Sequence, residues 1–285
     1  MKNYLYLALA MILLISCSKD TKQTIKNDGN TIPKDEVTKA IHNLGFSTKD
    51  LYISGDTIIV EGDILLLKSK LLRKSKNNTI PRQAVIKNAT LEKSNIKIWI
   101  SNNFTNSEQE VIKTSLNAFI KNAIGPNIGI SGLASITYTS AISVSDCSIQ
   151  AGNLSSNSCG MAEFPEIYNG TISPLLKLGK SMQINHATFK TLNTAQKKLL
   201  ITHEFGHMIG LRHTNWRLLA NESEFSTNNF GQQIGAYRVP GTNNTDLDPD
   251  PGSVFNGAKC GLEFTGFTEN DQRAIIYLTN GTYFL

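Results

Sequence analysis

His203, Glu204, His207, Gly210 and His213 stand in the spacing His-Glu-x-x-His-x-x-Gly-x-x-His. Four residues is close to one helical turn, so His203 and His207 project from one face, and both imidazoles can reach a single Zn²⁺ at about 2.0–2.1 Å. Gly210 adopts the left-handed conformation at little cost, ends the helix and swings the chain back, which lets His213 complete a three-histidine site. Three protein ligands leave a fourth position open, as a catalytic zinc requires. Glu204, beside the first ligand, can take a proton from a water at that position and pass it to a leaving amine. The zinc would lower the pKa of that water to about 7 and polarise the scissile carbonyl. The expected chemistry is zinc-dependent hydrolysis of peptide bonds.

Several elements must position these residues. Asn193 and Gln196 form a capping box that opens the histidine-bearing helix, whose apolar positions include Leu199, Leu200 and Met208. Ile96 to Ile100 alternates as a strand, Ser107 and Glu110 have capping-box spacing, and the apolar positions from Val111 to Ala123 recur as in a buried helix. Ile136 to Thr139, Gly160 to Phe164 and Met182 to Asn185 read as further strands, and Thr268 with Asp271 opens a C-terminal helix. Upstream, Asp35 caps a helix ended by Gly45, Leu51 to Leu67 reads as a strand pair, and Lys68 to Arg82 is a basic connection. His42 and His186 lack ligand spacing and read as structural. The order of elements predicts a mixed α/β (α+β) fold with a twisted mixed sheet.

Composition excludes other classes. The 285 residues are 40% hydrophobic and 18% charged with a formal net charge of +5, an ordinary globular balance with no dense basic stripe for nucleic acid. The apolar run from Tyr4 to Ile15 is shorter than the roughly 20 residues a permanent membrane helix needs, and it leads into Leu14-Ile15-Ser16-Cys17. That is a lipoprotein signal with Cys17 as the lipidated residue, and it predicts a membrane-anchored protein of the bacterial cell envelope, at the outer membrane on its periplasmic or surface face. Cys147, Cys159 and Cys260 remain for the folded part; Cys147 and Cys159 flank a Gly/Asn/Ser-rich loop and are the expected disulfide. Asp246, Asp248 and Asp250 alternate as Ca²⁺ ligands would, but Gly257 stands where an EF-hand-type loop needs a bidentate Glu, so an ordinary acidic loop is preferred over Ca²⁺.

The eleven-residue motif, with strands and a helix before it and a helix after it, resembles the metzincin zinc peptidases, and most closely the bacterial dual-action HEIGH metallopeptidases. The similarity runs from about Asp35 to the C-terminus and includes Val60-Glu61-Gly62-Asp63-Ile64, Cys159-Gly160-Met161-Ala162-Glu163-Phe164-Pro165, His213-Thr214-Asn215-Trp216 and Pro251-Gly252-Ser253-Val254-Phe255-Asn256. The resemblance implies His203, His207 and His213 as zinc ligands and Glu204 as general base. It implies Gly160, Met161, Ala162, Glu163 and Phe164 as the edge strand on which substrate is laid by β-augmentation. It also implies a turn beneath the zinc where metzincins place a Met; here the position is Phe255.

The expected organisation is a signal peptide over 1–16, a lipidated Cys17 and tether over 17–33, a small N-terminal unit and basic linker over 34–92, a possible pro-segment, and a catalytic domain over 93–285. The expected function is a zinc endopeptidase acting on a protein or peptide substrate. The alternative is a zinc-binding surface lipoprotein that binds a protein partner without turnover, motivated by Phe255.

Overall fold

The computed structural model describes residues 34–44, 46–48, 51–75, 90–123, 133, 135–155, 158–169, 174–215, 226–227, 233–234, 239, 250–257 and 261–280. Cys17, Gly45, Asp246, Asp248 and Cys260, named above, lie outside them, as does the connection beyond residue 75. Among the described residues no helix is long and apolar enough to cross a membrane.

The chain opens with helix α1, Lys34–Asn43, then strands β1, Tyr52–Ser54, β2, Thr57–Val60, and β3, Ile64–Leu67. Leu51 to Leu67 is therefore a three-stranded meander and not a strand pair. Its second turn, Glu61-Gly62-Asp63, runs through positive φ at both Glu61 (55°) and Gly62 (95°). The basic connection begins as helix α2, Lys68–Ser75, in which Leu71 is buried. Val37, Ala40, Ile41 and Phe46 pack with Ile58, Val60, Ile64, Leu66 and Leu71 into a small core. Phe164 also enters it, edge-on to Phe46 at 5.3 Å between ring centres.

Strand β4, Thr90–Leu91, and strand β5, Asn95–Ile100, precede helix α3, Asn106–Ala123, which crosses over to strand β6, Ser135–Thr139, parallel to β5. The cap of α3 is two residues earlier than the Ser107–Glu110 spacing suggested. Thr105 accepts from the Glu108 amide, and the Glu108 carboxylate accepts from the Thr105 amide at 2.8 Å. Strands β7, Cys147–Gly152, β8, Gly160–Glu163, β9, Glu166–Asn169, β10, Pro174–Lys177, and β11, Ser181–Asn185, follow. Helix α4, His186–Thr191, helix α5, Thr194–Ile209, and helix α6, Glu269–Asn280, complete the described framework.

The main sheet has the order β1-β2-β3-β8-β11-β7-β5-β6. Its β6-β5-β7-β11 part is parallel, β8 runs antiparallel to β11, and β3 is added parallel to β8. The first three strands thus extend the sheet that carries the site. The larger apolar core, from Ile96 and Ile98 through Phe119, Phe205 and Phe255 to Leu278, is assembled wholly from residues 91–278.

Candidate metal centre and active site

Helix α5 starts at the expected cap: Asn193 accepts from the Gln196 amide at 2.9 Å, and Gln196 reaches back to the Asn193 amide at 2.9 Å. It ends where Gly210 takes φ 109°, with Leu211 N–H on the Gly206 carbonyl and Gly210 N–H on the His207 carbonyl. This six-to-one closure turns the chain back within three residues and brings His213 to the face of α5 that carries His203 and His207. All three histidines are buried.

The ring nitrogens face one another. Nε2 of His203 lies 3.2 Å from Nε2 of His213 and 3.1 Å from Nε2 of His207. The opposite nitrogens are engaged by backbone: Nδ1 of His203 donates to the Val254 carbonyl at 2.8 Å, and Nδ1 of His207 to the Leu211 carbonyl at 2.6 Å. With protons on Nδ1, the Nε2 atoms present lone pairs to a common centre, where they repel unless a cation lies between them. A tetrahedral zinc with Zn–N of about 2.0–2.1 Å needs donors about 3.3–3.4 Å apart, so the spacing fits. Burial holds His207 well below its ordinary pKa and so in the neutral form that ligates.

A fourth donor comes from outside the motif. Asp63, in the turn between β2 and β3, places Oδ2 at 3.1 Å from Nε2 of His213 and 3.3 Å from Nε2 of His203, and Oδ1 at 3.5 Å from Nε2 of His207. One ligand atom from each of the four residues falls within 4.8 Å of the others. Burial alone would raise the Asp63 carboxyl. The adjacent His213, His207 and His203 rings outweigh burial and hold Asp63 well below the carboxylate range. Oδ1 of Asp63 is buried without a hydrogen-bond partner, as befits a donor to a cation.

Glu204 sits on the next position of α5, buried, with its carboxylate against Gly160 of β8. A Cβ on Gly160 would lie 2.6 Å from its Oε1, so only glycine leaves room for it. Oε2 of Glu204 has no hydrogen-bond partner. Burial first, and then the Asp63 charge, push this carboxyl well above the ordinary range.

Phe255 is buried and packs on Gly206 of α5: a Cβ there would lie 2.3 Å from the ring. The turn is tied down by the capping residue of α6, since Asp271 accepts from Ser253 Oγ at 2.5 Å and from the Val254 amide at 3.0 Å. The Val254 carbonyl thereby orients His203.

Strand β8 runs alongside the metal cluster, but β3 covers its outer side. Ala162 N–H donates to the Asp63 carbonyl at 3.0 Å and Phe164 N–H to the Leu65 carbonyl at 2.9 Å. Gly160, Met161, Ala162, Glu163 and Phe164 thus form an interior position of the sheet here, and not a free edge. Lys70 of α2 clamps this arrangement through Glu163 at 2.8 Å and Glu166 at 2.5 Å. Glu61 adds a buried ion pair with Arg212.

Other expectations fare differently. Cys147 is a free buried thiol and Cys159 is disulfide-bonded, so the expected Cys147–Cys159 pair does not form. Cys147 lies within β7, on the sheet floor, and nearness in sequence does not bring its side chain to Cys159. Asp250, the described member of the acidic loop, accepts from the Gly252 amide and from Asn270, which is loop bracing. His186 contacts Glu108 at 3.4 Å and His42 contacts Thr48 at 3.4 Å, both away from the cluster.

The family model of the dual-action HEIGH metallopeptidases matches residues 51–279. The chain belongs to that family, and the family together with the metal-binding cluster supports a zinc-dependent peptidase. No curated protein matches it. Among solved structures, one of myroilysin has a TM-score of 0.39 and 11% identity over 90% of this chain and 99% of that one. High choriolytic enzyme 1, a hatching-enzyme zinc protease from Oryzias latipes (medaka fish), has a TM-score of 0.32 and 15% identity over 67% and 93%. Both likenesses are distant.

Proposed function

We propose that the chain is a metzincin-type zinc endopeptidase, described here in a latent form, with Glu204 as general base. The observation that carries the proposal is the convergence of three bare Nε2 atoms on one centre beside a buried carboxylate with a free oxygen. A zinc ion held there by His203, His207 and His213 would supply Lewis acidity and lower the pKa of a nearby water to about 7. Val254 and Leu211 fix the orientation of the two helical imidazoles. Glu204, aimed by its seat on Gly160, would receive a proton at Oε2 and return it to the departing amine; burial, and then the Asp63 charge, favour the protonated form that this return requires.

Two features support an interior bond as the target. The segment at the cluster continues in both directions from Asp63, as a substrate cut in mid-chain must, and it pairs with β8 by main-chain hydrogen bonds that read no particular sequence. The same features support a pro-segment reading of the N-terminal unit. Asp63 takes the fourth donor position and β3 takes the strand place beside β8, so residues 34–75 must leave before a substrate enters. The lipobox at Cys17 supports anchorage of the protein at the bacterial envelope. Phe255 lends nothing to a turnover-free reading, since Gly206 accommodates the ring without displacing Glu204.

The test is peptide hydrolysis by the zinc-loaded protein after proteolytic removal of the N-terminal segment, with a chelator as control. Hydrolysis that is lost on chelation and restored by zinc is expected. Hydrolysis unaffected by chelation would overturn the proposal.

A further inference from the structure

The ammonium of Lys70, on α2, is seated between two carboxylates, 2.8 Å from Glu163 of β8 and 2.5 Å from Glu166 of β9. Burial alone would lower the Lys70 pKa, but the two carboxylates outweigh it and raise it. Glu163 is nearly enclosed, with 5% of its surface exposed. Its second oxygen accepts from Ser181 Oγ at 3.2 Å, and among the described residues Lys70 is the one cation within ion-pair distance of it. The strand register fixes where this cradle lies. Leu65 of β3 stands opposite Glu163, and Asp63, two residues before Leu65, reaches the metal cluster. A strand in the place of β3 would therefore set one side chain beside Glu163, two residues from the position at the cluster.

We propose that Glu163 and Glu166 form a subsite for a basic side chain, so that the peptidase favours substrates with Lys or Arg within about three residues of the bond it cuts. The inference rests on the reading that residues 34–75 vacate the cleft. Lys70 is then the subsite's built-in occupant, an ammonium that leaves with the segment. Glu163 keeps the Ser181 hydroxyl and loses its cation, and a buried carboxylate without one is costly. Opposite side chains on adjacent strands start about 5 Å apart, so a Lys or Arg at the Leu65 place is long enough to restore the pair. Its stem would run along the strand and its charged head would meet the carboxylates, as the head of Lys70 does in the latent form. A neutral side chain would leave Glu163 uncompensated, and an acidic one would be repelled.

The test starts from the zinc-loaded full chain, cut by limited proteolysis between Ser75 of α2 and Thr90 of β4. Its substrates are peptides that differ only in Lys, Gln or Glu at each of the three positions on either side of the bond. At one position Lys should exceed Gln by at least about tenfold in kcat/KM, carried by KM. Glu163→Gln, which keeps the size of the side chain and an oxygen for Ser181, should bring that ratio below about threefold. Equal rates for Lys and Gln in the unaltered protein, or a ratio that Glu163→Gln leaves intact, would overturn the proposal. A second readout needs no turnover: the Lys and Gln forms of one labelled peptide, bound to cut Glu204→Gln protein. The Lys form should bind at least about tenfold tighter, and equal binding would overturn the proposal. Absence of cleavage with that preference intact would remove the peptidase reading and leave the basic subsite standing. Should the cut segment stay bound, Lys70→Gln must speed its release about tenfold, and unchanged release counts against the subsite.

Discussion

The carboxylate of Asp63 lies 3.1 Å from Nε2 of His213, a residue 150 positions further along the chain. A turn in the N-terminal meander thus delivers a carboxylate donor to the three histidines of α5 and its end. The neighbouring strand closes the sheet position beside β8 at the same time. Donor and strand act together, and their separate contributions can be measured. Asp63→Ala in the full chain should raise peptide hydrolysis by about tenfold or more, while leaving it below that of the segment-free protein because β3 still covers β8. Assays on full and processed protein side by side check this. A variant as inactive as the full wild-type chain would show that the strand alone enforces latency.

Gly160 is the seat of Glu204. Gly160→Ala places a Cβ 2.6 Å from Oε1 and must push the carboxylate off its position. Hydrolysis by the processed protein should fall by about a hundredfold or more, with zinc content unchanged, because the ligands do not touch this strand residue. Loss of zinc along with activity would mean that the substitution disturbs the sheet and not the base.

Gly206 and Phe255 form a matched pair. Helix propensity would favour Gly206→Ala by about 1 kcal/mol, but its Cβ would fall 2.3 Å from a ring locked in the core, and overpacking of that kind costs about 1–3 kcal/mol. The clash should win, giving a lower Tm. Phe255→Met supplies a thinner, flexible side chain at the same place, so the double variant should recover most of the loss. Additive losses in the double-mutant cycle would argue that the two residues do not pack as described.

Glu108 caps α3 and contacts His186. Burial pushes its carboxyl up, but the Thr105 amide and hydroxyl and the His186 ring outweigh burial and hold it below its ordinary value of 4.5. A depressed folded-state pKa contributes stability that is present above about pH 4.5 and is lost as pH falls through the lower folded value. Glu108→Gln should therefore lower Tm at neutral pH and flatten its decline on the acid side. Parallel acid limbs for the two proteins would contradict this.

Cys147 is buried in β7, and burial pushes its thiol up, so it should resist a thiol reagent in the folded protein and react only on unfolding. Rapid reaction without reductant or denaturant would place it on the surface.

Local signals carried most of what the sequence made legible. The ligand helix, its Asn193–Gln196 cap, the stop at Gly210 and the Thr268–Asp271 cap depend on residues within one or two turns, and each forms as its spacing implies. The shift from Ser107–Glu110 to Thr105–Glu108 shows the limit: two overlapping boxes have the same spacing, and burial of Phe104 and Glu108 selects between them. Asp63 was hidden for a different reason. It joins the histidines across 140 residues or more, and nothing local distinguishes its carboxylate from any other in a turn. The one available signal is Glu61-Gly62-Asp63, a glycine between two acids that interrupts an otherwise apolar strand pattern. Strand pairing of β3 with β8 is equally non-local, which is why Gly160 to Phe164 read as a free edge.

The proposed hydrolysis turns on Glu204 as the group that moves the proton. The most direct measurement is kcat/KM for peptide hydrolysis by processed, zinc-loaded wild type and Glu204→Gln, with zinc content determined on the same samples. A loss of about a thousandfold or more at unchanged zinc content is expected from this role, since the amide fills the same space against Gly160 but accepts no proton. Equal cleavage by the two proteins would contradict it.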